Sequence, residues 1–185
     1  MLKKILLLSF LLGPAVAFSQ VAPSVKGGES TLWVGAEGST FNPDYDDRSR
    51  LVGIGVLVDY NLKPKYGAEF EARWLKWKGD GDQKQSDYLG GVRYRFWQYH
   101  RFGFNAKFLL GGVWIDYPFE QGSGSYFAYA PGAFVDYRVS RRFSVRGDYE
   151  YQILPSAPGF PGLPSHGLSP NGFSAGITYR VLGVR

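Results

Sequence analysis

The stretch Phe-Ser-Val-Arg-Gly-Asp-Tyr-Glu-Tyr-Gln-Ile, residues 143–153, alternates between apolar and polar side chains almost without interruption. Successive side chains of a β-strand point to opposite faces of the sheet, so this strand separates two different media. One face carries aromatic and aliphatic side chains together with a single glycine. The other face carries Ser144, Arg146, Asp148, Glu150 and Gln152.

The same alternation recurs along the chain and predicts an all-β fold. Each alternating segment has about ten residues or slightly more, the length that a tilted strand needs to cross a bilayer. Strands of soluble proteins more often have roughly five or six residues. The segments are 31–40, 51–60, 66–77, 87–97, 102–117, 126–138, 143–153 and 172–181.

The connections between these segments alternate between long and short. The long ones, 41–50, 78–86, 118–125 and 154–171, are polar or rich in Gly and Pro, whereas 61–65, 98–101 and 139–142 are tight. This segregation predicts an eight-stranded antiparallel up-and-down transmembrane β-barrel with loops on one rim and turns on the other. The loop rim is expected outside the cell, and the turn rim, with both chain ends, in the periplasm.

One face of the predicted strands is apolar and is expected to meet lipid. Its aromatic residues gather at the two ends of the strands, as at two membrane–water interfaces. Those toward the turn rim are Tyr60, Tyr66, Phe96, Phe104, Tyr137, Phe143 and Tyr179, and those toward the loop rim are Trp74, Tyr88, Trp114, Tyr151 and Phe173.

The opposite face is charged and is expected to line the barrel interior, with seven acids against seven bases. An interior of eight strands can be filled by side chains, so ion pairs there predict a plugged barrel rather than a wide pore. Gly53, Gly55, Gly91, Gly111, Gly132 and Gly176 share this face and leave room. The charged residues are Glu37, Asp59, Glu69, Glu71, Arg73, Arg93, Arg95, Lys107, Asp136, Arg138, Arg146, Asp148, Glu150 and Arg180.

Two alternatives to this assignment stay open. Alternation is equally compatible with a soluble lipocalin-like periplasmic binding barrel, in which the apolar face points inward. A bulge in the fifth and sixth strands would exchange the inward and outward directions of the side chains along part of those strands. Without such a bulge, apolar side chains point inward in those strands, namely Leu109, Val113, Ile115, Ala128, Ala130 and Phe134.

The first residues predict export. Lys3 and Lys4, an apolar run over 5–12 and Ala15-Val16-Ala17 have the form of a signal peptide, 1–17, with cleavage possible as late as 20. A periplasmic segment 18–30, the barrel 31–181 and a tail 182–185 follow. The chain has no cysteine, which excludes disulfides, thiolate metal sites and lipidation. No basic run suggests nucleic acid.

The last two strands resemble a known family. The ending Ser-Ala-Gly-Ile-Thr-Tyr-Arg-Val, 174–181, is similar to the C-terminal strand of small bacterial outer-membrane β-barrels of the opacity type and the outer-membrane-protein-A-like type. The resemblance implies location in the bacterial outer membrane. It also implies recognition by the assembly machinery through Ser174, Gly176, Tyr179 and Val181. The family usually ends on Phe, and no peptidoglycan-binding domain follows here.

Catalytic, metal and cofactor sites are not predicted. Ser165-His166, with Ser156 and Ser169 nearby, is the only arrangement suggesting a lipid-modifying hydrolase at the outer rim, and His100 lies in a turn on the other rim. The carboxylate pairs Glu69/Glu71 and Asp148/Glu150 are expected to form ion pairs, and the acidic stretches 42–47 and 79–82 to be turns.

The predicted function is structural or interactional. The loop 154–171 contains Phe160 and five prolines and is the best candidate contact surface for a surface ligand. Proline stiffens such a loop and lowers the entropy lost on binding. A narrow channel and a lipid-modifying outer-membrane enzyme are the alternatives.

Overall fold

The computed structural model describes residues 30–44, 50–77, 83–117, 122–158 and 167–183. Each strand pairs antiparallel with the next, and β8 pairs with β1, so the sheet closes into a barrel. The predicted all-β, eight-stranded antiparallel fold is confirmed. The strands are β1 (Thr31–Asn42), β2 (Leu51–Asn61), β3 (Tyr66–Trp77), β4 (Lys84–Tyr99), β5 (Phe102–Asp116), β6 (Ser123–Arg138), β7 (Phe143–Tyr151) and β8 (Asn171–Leu182).

No helix in the described ranges is long and apolar enough to cross a membrane.

The strand ends differ from the predicted ones mainly in β4, β6 and β7, and β6 begins at Ser123 rather than at the predicted 126. β4 begins at Lys84, three residues before the predicted start at 87. β7 ends at Tyr151: Gln152 N–H still donates to the carbonyl of its register partner Pro170 at 2.7 Å, but Pro170 has no N–H to return the bond. Beyond this point Ile153 still bridges to Tyr129, in the register of the β6–β7 pairing.

The predicted inward and outward faces are confirmed. Ile54, Val92 and Ile177 on the outer face are 69%, 65% and 61% exposed, whereas Lys107 and Glu150 in the interior are 4% and 1% exposed. The inverted, lipocalin-like arrangement would have buried the first set and exposed the second. The chain therefore places its charges inside the barrel.

Register irregularities lie elsewhere than in the fifth and sixth strands. The pairing of β5 with β6 is continuous from Phe102↔Tyr137 to Asp116↔Ser123. The predicted alternation of inward and outward side chains therefore holds in β5 and β6, and their apolar side chains point inward as predicted. A register shift occurs instead in β4, between Arg95 and Trp97, so that Phe96 and Trp97 are both exposed. An extra residue in one strand has this effect on side-chain direction.

Aromatic contacts join neighbouring strands at both ends of the outer face. Toward the loop rim, Tyr88 packs edge-on against Trp74 and Trp114, with ring centroids 6.2 and 5.4 Å apart. Toward the turn rim, Phe143 lies 5.0 Å from Tyr179. Two rings of aromatic residues thus bound an aliphatic belt, as expected of a barrel with two membrane interfaces.

The inward-facing glycines fall into two groups. A Cβ at Gly132 would lie 2.8 Å from Lys107 Cε, and one at Gly55 would lie 3.0 Å from Glu37 Oε1. These glycines leave room for charged side chains, as predicted. At Gly111, however, a Cβ would lie 2.0 Å from the Tyr88 carbonyl oxygen. There the neighbouring backbone, rather than an interior side chain, requires glycine.

Candidate functional site

The interior of the barrel is divided along its axis into three zones. An apolar zone lies at the loop rim, a network of ion pairs fills the middle, and a cavity lined by basic side chains opens at the turn rim. Alternation in the strands brings these side chains inward, and the position of each residue along its strand sets its zone.

Arg73 on β3 forms the part of the network nearest the loop rim. Its guanidinium reaches Glu71 at 2.9 Å and Glu150 at 3.0 Å, and it lies 3.4 Å from both Glu37 and Asp87. The guanidinium also lies 4.5 Å from the centroid of the Phe41 ring. Arginine suits this position because its planar fork can contact several carboxylates and an aromatic face at once.

Lys107 on β5 occupies the centre of the network. Its Nζ lies 2.6 Å from Glu71, 2.8 Å from Asp148, 2.9 Å from Glu150 and 3.7 Å from Glu69. Both predicted carboxylate pairs, from β3 and β7, therefore converge on one ammonium group. Glu69, Glu71 and Asp148 are also spaced as metal ligands could be. The lysine supplies the cation at that point.

Arg146 on β7 forms the part nearest the turn rim. It donates to Asp59 and, at 2.8 Å, to Asp136. Its guanidinium stacks 3.8 Å from the centroid of Phe134, an apolar residue of β6 that points inward. Arg93 adds a second ion pair to Asp59, at 2.9 Å.

The charges of the buried interior differ from the prediction of seven acidic and seven basic residues. Among the described residues, seven buried carboxylates face only four buried cations, because Arg95, Arg138 and Arg180 lie half-buried at the turn rim. Asp87 was missed among the acids because it was taken as the first residue of its strand. Uncharged partners that the sequence did not single out complete the network, namely Gln85, Asn105 and Gln152.

The stem of the last loop is packed inside the mouth at the loop rim. Leu154, Ala157 and Leu168 are 0%, 4% and 4% exposed. They join one cluster with the inward-facing apolar side chains of β4, β5 and β6. A smaller cluster of Phe41, Leu51 and Leu75 is buried on β1–β3. The loop predicted as a solvent-facing contact surface thus has an apolar anchor inside the barrel.

Backbone hydrogen bonds fix the two sides of this stem to each other. Leu154 N–H donates to the Leu168 carbonyl at 2.8 Å, and the reciprocal bond measures 3.1 Å. Asp44, which follows β1, accepts a hydrogen bond from Ser169 N–H at 2.8 Å. The first and last loops are therefore connected. We call residues 152–158 and 167–170 the loop stem.

The structure describes only some of the residues considered for catalysis, namely His100, Ser156 and Ser169. His100 lies exposed in the β4–β5 turn, on the rim opposite the last loop, with its ring against Tyr99. Ser156 is exposed in the loop stem. Ser165, His166 and Phe160 lie outside the described residues, as does the stretch 79–82. Only residues 42–44 of the other acidic stretch are described, and there Asn42 Oδ1 accepts a hydrogen bond from Asp44 N–H.

The four residues of the C-terminal pattern lie along β8, the strand that closes the barrel against β1. Ser174 points inward and donates to Ser39 Oγ at 2.8 Å. Tyr179 and Val181 are exposed on the outer face, at 37% and 50%. Gly176 packs against Glu37, so this glycine also has a role within the folded barrel.

Comparisons with solved structures place this fold among outer-membrane barrels. The chain is similar to the crystal structure of Ail, the attachment invasion locus protein of Yersinia pestis, with 21% identity, a TM-score of 0.51 and coverage of 83% of this chain and 99% of that chain. It is similar to Neisserial surface protein A, with 11% identity, a TM-score of 0.59 and coverage of 82% and 97%.

A third similar structure is the outer membrane protein OprG from Pseudomonas aeruginosa, with 14% identity, a TM-score of 0.54 and coverage of 85% and 99%. The sequence by itself matches no family model and no curated protein. At these identities the similarity concerns the fold, which is that of small eight-stranded barrels of Gram-negative outer membranes. The fold implied by the resemblance in the last two strands is confirmed.

Proposed function

We propose that this protein is an outer-membrane barrel that acts as a scaffold for surface contact through its last loop. The single observation that carries this proposal is the loop stem, which is anchored by Leu154, Ala157 and Leu168 inside the mouth. A loop held at its base has less conformational entropy to lose when it binds. The stem thus supports a loop presented to a partner rather than a passive connection.

The proposed orientation places the loop rim outside the cell and the turn rim in the periplasm. Lys76 and Lys84 are paired across β3 and β4, with Trp74 and Ser86 the next outward-facing pair toward the membrane belt. Basic side chains just beyond an aromatic ring suit contact with phosphate groups of the outer-membrane lipid. Short turns on the periplasmic side are the usual arrangement in such barrels.

The partner is proposed to be a protein surface with an apolar or proline-binding groove. One of the solved structures holds Ail in complex with the heparin analogue sucrose octasulfate. Residues 154–171 of the present chain contain no lysine or arginine. A loop without basic residues suits a sulfated ligand poorly, whereas Phe160 and stiff prolines suit an apolar contact.

Replacement of residues 159–166 by a Gly-Ser linker tests the proposal, because the loop stem stays intact. Bacteria that display this variant are expected to lose most of their adhesion to cultured epithelial cells, and sucrose octasulfate should not compete with the unmodified protein. The matched control replaces 118–121 in the third loop. Adhesion that survives in the first variant, or falls equally in both, would contradict a contact role for the last loop.

The interior is proposed to be a plug rather than a conduit. Arg73, Arg146, Phe41 and Leu51 are fully buried within the described barrel. The narrow channel stays the alternative to test, since the basic cavity opens from the turn rim as far as Arg146. We expect no discrete conductance steps in planar bilayers. Steps that change with Arg93→Gln would contradict the plug.

Recognition of β8 by the outer-membrane assembly machinery is part of the same proposal. Tyr179 and Val181 are exposed on the lipid-facing side, where a strand-binding partner could reach them. Tyr179→Ala should slow insertion in cells and leave the finished barrel close to its normal stability. Unchanged insertion kinetics would remove this role.

A further inference from the structure

The plug and the loops do not explain the basic cavity at the turn rim. It has a volume of about 230 Å³ and opens toward solvent. Seven cationic side chains line it, against two carboxylates. We call it the vestibule. The cations are Lys63, Arg93, Arg95, Arg101, Arg138, Arg146 and Arg180.

The deepest cations are already paired and form the floor of the vestibule. Arg93 and Arg146 share Asp59, and Arg146 also binds Asp136. Arg93 donates in addition to Asn61 Oδ1. The two carboxylates of the vestibule are thereby occupied. They cannot neutralise the remaining five cations without giving up these ion pairs.

Three arginines above the floor have no acidic partner. Arg95 reaches only the side-chain oxygen of Asn105, at 3.4 Å, and Arg180 lies 5.8 Å from the centroid of the Trp33 ring. Arg138 makes a backbone hydrogen bond to the Arg101 carbonyl. Within the described part of the chain, none of the three has a carboxylate at ion-pair distance.

This arrangement concentrates positive potential in a partly enclosed space. Clefts lined by one sign of charge focus the field and raise the local concentration of the opposite ion. The three side chains are half-buried, so solvent screens their mutual repulsion less than on an open surface. Guanidinium groups match phosphate oxygens through parallel N–H donors. Ser144, Thr178 and Gln98 supply neutral polar groups in the same wall.

We propose that the vestibule is a binding site for a compact anion that carries two or more phosphate groups. The ligand enters from the turn rim and is held by Arg95, Arg138 and Arg180 above the Asp59–Arg146 floor. Lipid phosphates meet the outside of the barrel, whereas these side chains point inward. The phosphate can come from a soluble molecule or from a headgroup that folds over the rim, and the experiment separates these sources.

Calorimetric titration of pyrophosphate into the folded mature protein, in a maltoside detergent at low salt, tests the proposal. Arg95→Gln/Arg138→Gln should weaken binding by about a hundredfold or more, since each lost charge-assisted contact lowers the affinity by about tenfold or more. The matched control, Lys65→Gln/Arg142→Gln, removes the same charge from the same rim outside the vestibule. It should change the affinity by less than about twofold, since screening weakens distant charges.

Each result bears on the proposal directly. No binding to the unmodified protein, or an equal loss in both double variants, would overturn it, because a diffuse positive rim would then account for the data. Heat-modified gel migration shows that each variant is folded. The protein in nanodiscs with cardiolipin, whose headgroup carries two phosphates, is compared with the protein in phosphatidylcholine nanodiscs. Competition by cardiolipin assigns the site to a headgroup, and undiminished binding assigns it to a soluble phosphate.

Discussion

The middle of the interior and the vestibule contain the same kinds of side chain, yet they differ in how their charges are paired. Around Lys107, every cation has several carboxylates within ion-pair distance. At the turn rim, Arg95, Arg138 and Arg180 have none among the described residues. Buried charges that lose a partner are costly, whereas half-exposed charges without partners cost little. The first region therefore stabilises the barrel, and the second is available for a ligand.

The distribution follows from where carboxylates occur along the strands. β3 and β7 each place two acids on adjacent inward positions, Glu69 and Glu71 on one and Asp148 and Glu150 on the other. All four lie in the middle of the barrel. Toward the turn rim the inward positions of β4, β6 and β8 carry arginine instead. Acidic and basic side chains are thus separated along the axis of the barrel.

The largest effect is expected from Lys107→Met, which removes the cation at the centre of the network. Glu69, Glu71, Asp148 and Glu150 would keep their charges in a buried space with less compensation. Loss of one partner from a buried ion pair costs about 3 to 5 kcal/mol. Urea-induced unfolding from lipid vesicles, followed by tryptophan fluorescence, measures the change.

The matched variant removes the excess of buried negative charge that Lys107→Met creates. Lys107→Met/Glu71→Gln/Asp148→Asn removes two acids along with the lysine, and we expect it to recover most of the lost stability. Replacement of buried ion pairs by neutral groups is often close to neutral overall. If Lys107→Met alone were as stable as the unmodified barrel, the ion pairs in the middle would have no stabilising role.

The next largest loss of stability is expected when a cation is placed on the outer, lipid-facing side of the barrel. Val56 lies midway along β2, points outward and is flanked by Ala36 and Ala72. Val56→Arg should destabilise the barrel by about 2 to 4 kcal/mol in vesicles, since that is the cost of Arg at the bilayer midplane. Leu62→Arg, at an exposed apolar residue in a turn, is the control and should change stability by about 0.5 kcal/mol or less. Equal effects would mean that the outer face does not lie in lipid.

A smaller and more local effect is expected at the loop rim. Leu154→Ala leaves a gap in the apolar cluster and should cost about 2 kcal/mol, the low end for a buried leucine, because the stem can shift into the space. The loss should appear as faster amide exchange at Leu168, whose N–H donates to Leu154, with the strands unaffected. Exchange that accelerates throughout β5 and β6 would show that the stem is part of the global fold.

The smallest effect on stability is expected in the vestibule. Arg95→Gln/Arg138→Gln removes two half-buried cations without breaking an ion pair, so the free energy of unfolding should change by about 0.5 kcal/mol or less. The urea titration used for Lys107→Met gives the comparison. A loss similar to that of Lys107→Met would show that these arginines are structural and would remove the distinction between the two regions.

Alternation in the sequence was sufficient to predict the fold and the faces. It assigned Arg73, Lys107 and Arg146 to the interior because a strand allows only two directions for a side chain. It could not pair them across the interior. Arg146 and Asp59 are 87 residues apart, and their contact depends on the shear that closes the barrel.

The strand extensions near the loop rim were missed for a physical reason. Beyond the ring that contains Tyr88, the outward positions Ser86 and Lys84 enter the polar interface of the membrane. Polar side chains then occur on both faces, and alternation disappears while the ladder continues. Asp87 was for this reason placed at a strand end rather than within the network.

The sequence contained a signal for the loop stem, but that signal was attributed to a bulge. Leu109, Val113 and Ala130 point inward in strands that otherwise line a charged interior, and a bulge was considered to explain them. They form the inner wall against which Leu154 and Leu168 pack. The apolar patch that these residues form within a polar interior was therefore the sign that a segment, the loop stem, covers it.

The central claim is that the apolar face of this barrel meets lipid while its charges close the interior. Gel migration of the purified mature protein, unheated and boiled, after refolding with and without detergent micelles, tests it most directly. We expect a compact, fast-migrating band only with detergent, and a slower band after boiling. A folded monomer that forms without detergent would contradict the claim, because the exposed apolar belt would then have to be stable in water.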